Sequence, residues 1–310
     1  MSRATGAPQT RAEVRKLARI LDRDPDRLAY LEQLPLADLI ELRERVTDVL
    51  WSSDGSALNR LAAASKLLPT AVSAAISERA FGPLLSARLA AKLEPSRAVD
   101  VAAKLSAPFL ADVAIELDPR RASQVIAQMP PRQIGEVTRE LIAREEYVTM
   151  GRFVGHLSDD AVAAALSETD DRALLRVAFV LEEKERLEKL IGLLPEQRLA
   201  SIVRAAADDE LWLEALDLLE HLSDGRRSAI VTAALDLDPA TQESIVAAVL
   251  EHDLWNEVLV IAEHDPGLQS KLARRVSSLS AAQRREVAQR IREQGSIERL
   301  GPLGAALEAG

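Results

Sequence analysis

LEPSRAVDVAAKL at residues 93–105 and LDPRRASQVIAQM at residues 117–129 are two versions of one phrase, Leu-acid-Pro-x-Arg-Ala followed by an apolar stripe. Proline is accommodated in the first turn of a helix, where its missing N–H has no partner to lose. The stripe behind it recurs at helical spacing. Each phrase therefore predicts a helix start, and the short distance between them predicts short helices joined by tight turns. Degenerate versions of the phrase continue toward the C-terminus. The chain is expected to be a stack of helical repeats, in which neighbouring units bury each other's apolar faces.

Beyond Met129 the repeat reads as a helix pair. The first copy is MPPRQIGEVTRELIAREEYVTMGRFVGHL at 129–157, and further copies begin at Leu157, Leu194, Leu237 and Leu279. Three columns of apolar residues hold this register. The first helix carries Val137, Ala165, Ile202, Ile245 and Val287. The second opens on Tyr147, Leu175, Trp212, Trp255 and Ile297, and closes on Phe153, Leu181, Leu218, Ile261 and Leu303. The wider spacing of the later copies implies an additional short helix, for example in SDGRRSAIVTAAL.

These patterns predict an all-α fold, a right-handed α-solenoid of short helices with an N-terminal helical module. Residues 1–10 are expected to be a disordered leader and residues 11–51 the module. Residues 52–56, Ser-Ser-Asp-Gly-Ser, read as a linker, and 57–310 as the repeat array. Pro69, Gly82, Pro95, Pro108, Pro119 and Pro130-Pro131 punctuate the array, and the prolines mark helix starts.

Composition narrows the function. Apolar residues make up 47% of the chain but aromatics only 3%, so a core must be assembled from many small Ala and Leu contacts. Cysteine is absent, which removes disulfides, zinc–thiolate sites and thiol catalysis. No apolar run approaches the roughly 20 residues needed to span a bilayer. The expected location is the cytoplasm, without membrane insertion. The net charge of −10 is concentrated in 181–265, where 20 acidic residues face 7 basic ones, whereas 266–310 has 8 basic and 4 acidic. That acidic middle argues against nucleic acid and anionic membrane as main partners.

Individual residues resolve into repeat columns before they resolve into a site. His156, His221 and His264 share one column, where successive units hold them a repeat apart, and His252 sits in a polar turn. A histidine at a helix C-terminus complements the helix dipole. The acidic doublets Asp159-Asp160, Asp170-Asp171 and Asp208-Asp209 offer carboxylates for a hard cation such as Mg2+, but also stand where carboxylates cap helices. Trp212 and Trp255 read as packing residues, and Trp51 as an anchor for the N-terminal helices. Arg274, Arg275, Arg284 and Arg285, with Lys271, Arg290 and Arg292, form a basic end with no stacking aromatics beside it. No phosphate-binding glycine loop, HExxH or GxSxG motif occurs.

The phrases LEPSRAVDVAAKL and LDPRRASQVIAQMPPRQIGEV resemble the cytosolic N-terminal domain of MgtE-type magnesium channels. The middle of the flagellar switch protein FliG has similar helical-repeat logic. The resemblance is best over 93–141, weaker to 222 and absent from 1–55. It implies a superhelical domain that docks against another protein, with acidic patches that respond to magnesium. CBS-like and membrane-spanning patterns are missing, so transport is not implied.

The expected function is a non-enzymatic scaffold or adaptor with no bound cofactor. Its acidic segment, through Glu214, Asp217, Glu220 and Glu257, would attract a basic protein partner. A magnesium-responsive regulator is the alternative. Self-assembly into a homo-oligomer through the acidic middle and basic end is the second alternative.

Overall fold

The computed structural model describes residues 7–21, 23–52, 55–208, 211–251, 261–262, 265–277, 284–285, 287–289 and 301–308. Among these residues there are nineteen α-helices and no strand. The chain divides into two compact units, Met1–Lys184 and Glu185–Gly310.

The first unit begins with α1 (Ala7–Ile20), a 3-10 segment (Pro25–Gln33) and α2 (Leu36–Ser52). Then come α3 (Gly55–Ser65), α4 (Thr70–Ile76), a π turn (Ser77–Phe81) and α5 (Gly82–Ala90). They are followed by α6 (Pro95–Ala102), α7 (Ala107–Glu116), α8 (Ser123–Ala127) and α9 (Pro131–Ala143). The unit closes with α10 (Tyr147–Phe153), α11 (Asp159–Glu168) and α12 (Asp171–Phe179). Helices this short cannot bury a core alone, and from α3 onward each is covered by a next-but-one neighbour. α3 packs on α5, α4 on α6, α5 on α7, α6 on α8, α7 on α9, α9 on α11 and α10 on α12. α1 departs from this ladder, packing on α2 and on the distant α10.

The core is accordingly a series of small clusters. One joins Ala87, Val113, Leu117, Ala122 and Ile126. Another joins Ala111, Leu141, Met150 and Val177, with Val137 and Tyr147 at its edge. A third joins Ala12 of α1 to Phe179 and Val180. Alanines at the contacts allow close approach, and Gly151 does so most strictly. A Cβ there would stand 2.9 Å from both Cγ2 and the carbonyl oxygen of Val180.

The second unit contains α13 (Leu187–Gly192), α14 (Glu196–Asp208), α15 (Trp212–Leu219), α16 (Asp224–Leu235), α17 (Pro239–Glu251), α18 (Pro266–Ser277) and α19 (Gly301–Glu308). α14 packs on α15, α16 and α17, α16 on α18, and α18 on α19. Val249, Ile261, Leu268, Leu272, Val276, Val287 and Leu303 are buried together. The helix expected in SDGRRSAIVTAAL is α16, a full-length member of this packing.

The repeat columns differ in depth. Leu181, Leu218, Ile261 and Leu303 are buried and Phe153 half-buried, whereas Val137, Ala165, Ile202 and Ile245 are half-buried and only Val287 of that column is buried. In the remaining column Leu175 is buried and Tyr147 and Trp212 are half-buried, while Trp255 and Ile297 lie outside the described residues. α1 starts at Ala7, inside the stretch read as a leader, because Thr10, Ala12 and Glu13 are already buried. The expected linker contributes Ser52 to α2 and Gly55 and Ser56 to α3, with 53–54 outside the described residues. Trp51 lies in α2, its side chain outside the described residues.

The two founding phrases fold differently. Pro95 starts an ordinary helix, and Glu94 makes no side-chain cap bond. Asp118 instead accepts the Arg120 N–H at 3.2 Å, tightening Pro119–Ala122 into a 3-10 turn that leaves only five residues for α8. A carboxylate one methylene shorter reaches the backbone two residues on, in an Asx-type turn.

Candidate functional site

The repeat joints are built from a few side-chain devices. Ser158, Asp170, Asp238 and Asp265 accept the N–H groups of Ala161, Ala173, Thr241 and Leu268, satisfying donors that a helix start leaves open. Other bonds join successive pairs. Arg97 of the first phrase donates to the carbonyls of Ser65, at 2.6 Å, and Leu68. Gln133, at the matching position of the copy that begins at Met129, donates to Ala102 at 2.6 Å. Glu78 accepts both the N–H and the hydroxyl of Ser106 at 2.8 Å, and Glu188 does the same for Ser223 at 2.9 Å. The serine amide is the main reason that each carboxyl is held below its ordinary pKa.

Of the acidic doublets, one supplies such a cap. Asp170 is the N-cap of α12, and Asp171 stands in its first turn. Asp159 and Asp160 occupy the exposed first turn of α11 behind the Ser158 cap. Asp208 is the exposed last residue of α14, and Asp209 lies outside the described residues. Among the described residues, no three His, Asp or Glu side chains gather as a metal-binding set. His156 is half-buried in the turn after α10. His221 is half-buried, with Nε2 enclosed and making no hydrogen bond. His252 and His264 lie outside the described residues.

Of the acidic candidates, Glu220 is exposed and its carbonyl accepts Arg227 at 3.0 Å. The side chains of Glu214 and Asp217, and the whole of Glu257, lie outside the described residues. In the basic end, Arg274 and Arg275 join Lys271, Asp236 and Leu235 around an open hollow of about 270 Å³. Lys271 reaches Asp236 at 3.4 Å there. Arg284 is half-buried and Arg285 exposed.

The most highly organised charged constellation is in the first unit, and the sequence analysis did not single it out. On α1, Glu13 and Lys16 are 6% and 2% exposed, next to the buried Val14 and Leu17. Glu13 meets Lys16 at 2.7 Å and Arg43 of α2 at 2.8 Å. Arg43 continues to Glu182 at 3.2 Å, and Glu182 faces Arg152 of α10 at 3.9 Å. Arg152 faces Asp118 at 3.9 Å, and Asp118 also holds Arg120 at 3.1 Å and Arg121 at 3.4 Å. These two arginines turn outward to Glu44 and Asp48 of α2, at 3.4 and 2.6 Å. A separate fork from Arg19 clasps Glu146 at 2.9 and 3.2 Å.

This seam is electrically balanced. Lys16, Arg43 and Arg152 face Glu13, Glu182 and Asp118, with two further pairs at its rim. Burial pushes the Glu13 carboxyl up, but Lys16 and Arg43 prevail and hold it below its ordinary value. Burial lowers the Arg152 pKa, against the pull of Glu182 and Asp118. Arginine does not deprotonate in proteins, and each carboxylate is tied to a cation. The seam can thus clamp α1 and α2 onto the repeats. The available signal was the charge pair Glu13–Lys16 on the apolar face of α1, where an amphipathic helix ordinarily carries none.

Among the described residues no helix is long and apolar enough to cross a membrane. No protein-family model, no curated protein and no solved structure matches this chain.

Proposed function

We propose that this chain is a non-enzymatic helical-repeat scaffold, a right-handed solenoid whose surface holds a protein partner. One observation carries the proposal. From Ser65 onward, the side-chain hydrogen bonds between successive helix pairs recur at separations of 28 to 37 residues, one repeat's worth of chain. Such near-neighbour bonding is how an array without a single central core is stabilised. The resemblance of 93–141 to the MgtE cytosolic N-terminal domain supports the same reading.

The acidic segment 181–265 is the proposed partner-facing charge, attracting a basic protein. Two measurements test this. Small-angle scattering should give a radius of gyration well above the roughly 20 Å of a compact chain of this length. Reversing Glu214, Asp217, Glu220 and Glu257 to lysine together should abolish stoichiometric capture of a basic partner from native extract. A compact scattering radius would defeat the solenoid, and capture undiminished by the reversals would defeat the acidic face.

A further inference from the structure

The ladder of next-but-one packing has an open start. Its first pair is α3 and α4, and α1, which by position would cover α3, packs on α2 and α10 instead. The residues left at that start are apolar. Leu67 is 86% exposed, Leu84 50% and Val72 43%, with Leu61 and Leu68 also exposed. Ala63, Ala64 and Ala71 beside them are exposed as well. The Leu67-Leu68 turn is held from behind, because Arg97 donates to the Ser65 and Leu68 carbonyls. Exposed leucines on and near a braced turn offer an interaction surface.

Charge identifies what that surface accepts. In a chain of net charge −10, residues 55–92 contain five basic side chains, Arg60, Lys66, Arg79, Arg88 and Lys92, and one acidic one, Glu78. Glu78 is engaged by Ser106 at the start of α7. Arg60, Lys66 and Lys92 are exposed and form no ion pair among the described residues. Apolar residues with cations beside them in the chain, unpaired among the described residues, complement a helix with leucines along one stripe and carboxylates on its flanks. The same face of a second copy would bring cation against cation.

We propose that the open face of α3, α4 and α5 is a docking site for an acidic amphipathic helix of a protein partner. The test uses the full chain and a fluorescein-labelled helical peptide with Leu at i, i+3, i+4 and i+7 and Glu elsewhere. Anisotropy should show saturable binding that weakens with salt. Leu67→Asp with Leu68→Asp should raise Kd by about tenfold or more, as truncating a central anchor does, and Arg60→Glu with Lys66→Glu should raise it too. Circular dichroism on each variant confirms that exposed substitutions leave the fold intact.

No saturable binding overturns the proposal, as does equal binding of the Lys-for-Glu peptide or of the Leu67→Asp/Leu68→Asp variant. Absent peptide binding, phosphatidylserine-vesicle cosedimentation lost in the same variants would overturn it in favour of a lipid surface. Self-association on sedimentation lost in those variants would do so in favour of a second copy. Each failure leaves the scaffold reading standing, because that reading is tested through shape and through residues 181–265.

Discussion

Replacing Arg43 by methionine is the sharpest probe of how α1 and α2 are held. The guanidinium is 5% exposed and bridges two carboxylates, Glu13 at 2.8 Å and Glu182 at 3.2 Å. Methionine preserves much of the buried stem but deletes the charge. Glu13 then keeps Lys16, whereas among the described residues Glu182 keeps only Arg152 at 3.9 Å, and the balanced seam becomes net negative. Breaking a buried pair by removing one partner costs about 3–5 kcal/mol. For a unit of this size that lowers Tm by roughly 6–20 °C, at about 2–4 °C per kcal/mol. The assay is urea unfolding of wild type, Arg43→Met, Glu13→Gln and the double variant as a thermodynamic cycle. The two changes should be non-additive, with the double variant losing less than the sum. A single-variant cost under about 1 kcal/mol, the range of exposed ion pairs, or an additive cycle would refute the account of the seam.

Glu145 has φ 57 as the left-handed residue ending α9, where Glu145 N–H meets the Ile142 carbonyl and Glu146 N–H the Leu141 carbonyl, both at 2.9 Å. Glycine adopts that conformation without strain, so Glu145→Gly should stabilise the fold by about 1 kcal/mol in urea unfolding. Gly151→Ala should destabilise by about 1–3 kcal/mol through overpacking on Val180. Gly225→Ala in α16, where a Cβ meets nothing within 4 Å, should be neutral or stabilising. The folded-state pKa of Glu13 lies below its unfolded value of about 4.5. Its stabilisation is therefore complete above that pH and lost as pH falls through the lower folded value. Acid titration of Glu13→Gln should show a shallower loss of stability than wild type below about pH 4.5, and identical slopes would contradict the assignment.

Much of the local structure was legible because its causes are local. Pro95, Pro108 and Pro131 stand in first helical turns, and Asp170 caps α12 as a carboxylate before a second helix should. The third apolar column, from Phe153 to Leu303, is largely buried for the same reason, since helical periodicity alone decides which side chains share a face. The basic end was recognisable as charge, but its hollow at Lys271, Arg274 and Arg275 depends on how α18 meets the end of α16. Equally, nothing in LDPRRA announced that its aspartate would be 1% exposed among three arginines.

The sequence by itself determined that the chain is helical, where most helices begin and which columns are apolar, because propensity, capping and 3.6-residue periodicity act over a few neighbouring residues. Only the tertiary structure decided that Arg43 meets Glu182, that Arg19 clasps Glu146, and that α1 leaves the start of the ladder uncovered. Those contacts join residues more than a hundred positions apart, and their partners are chosen by packing and by the cost of leaving a buried charge alone. No periodicity encodes that choice.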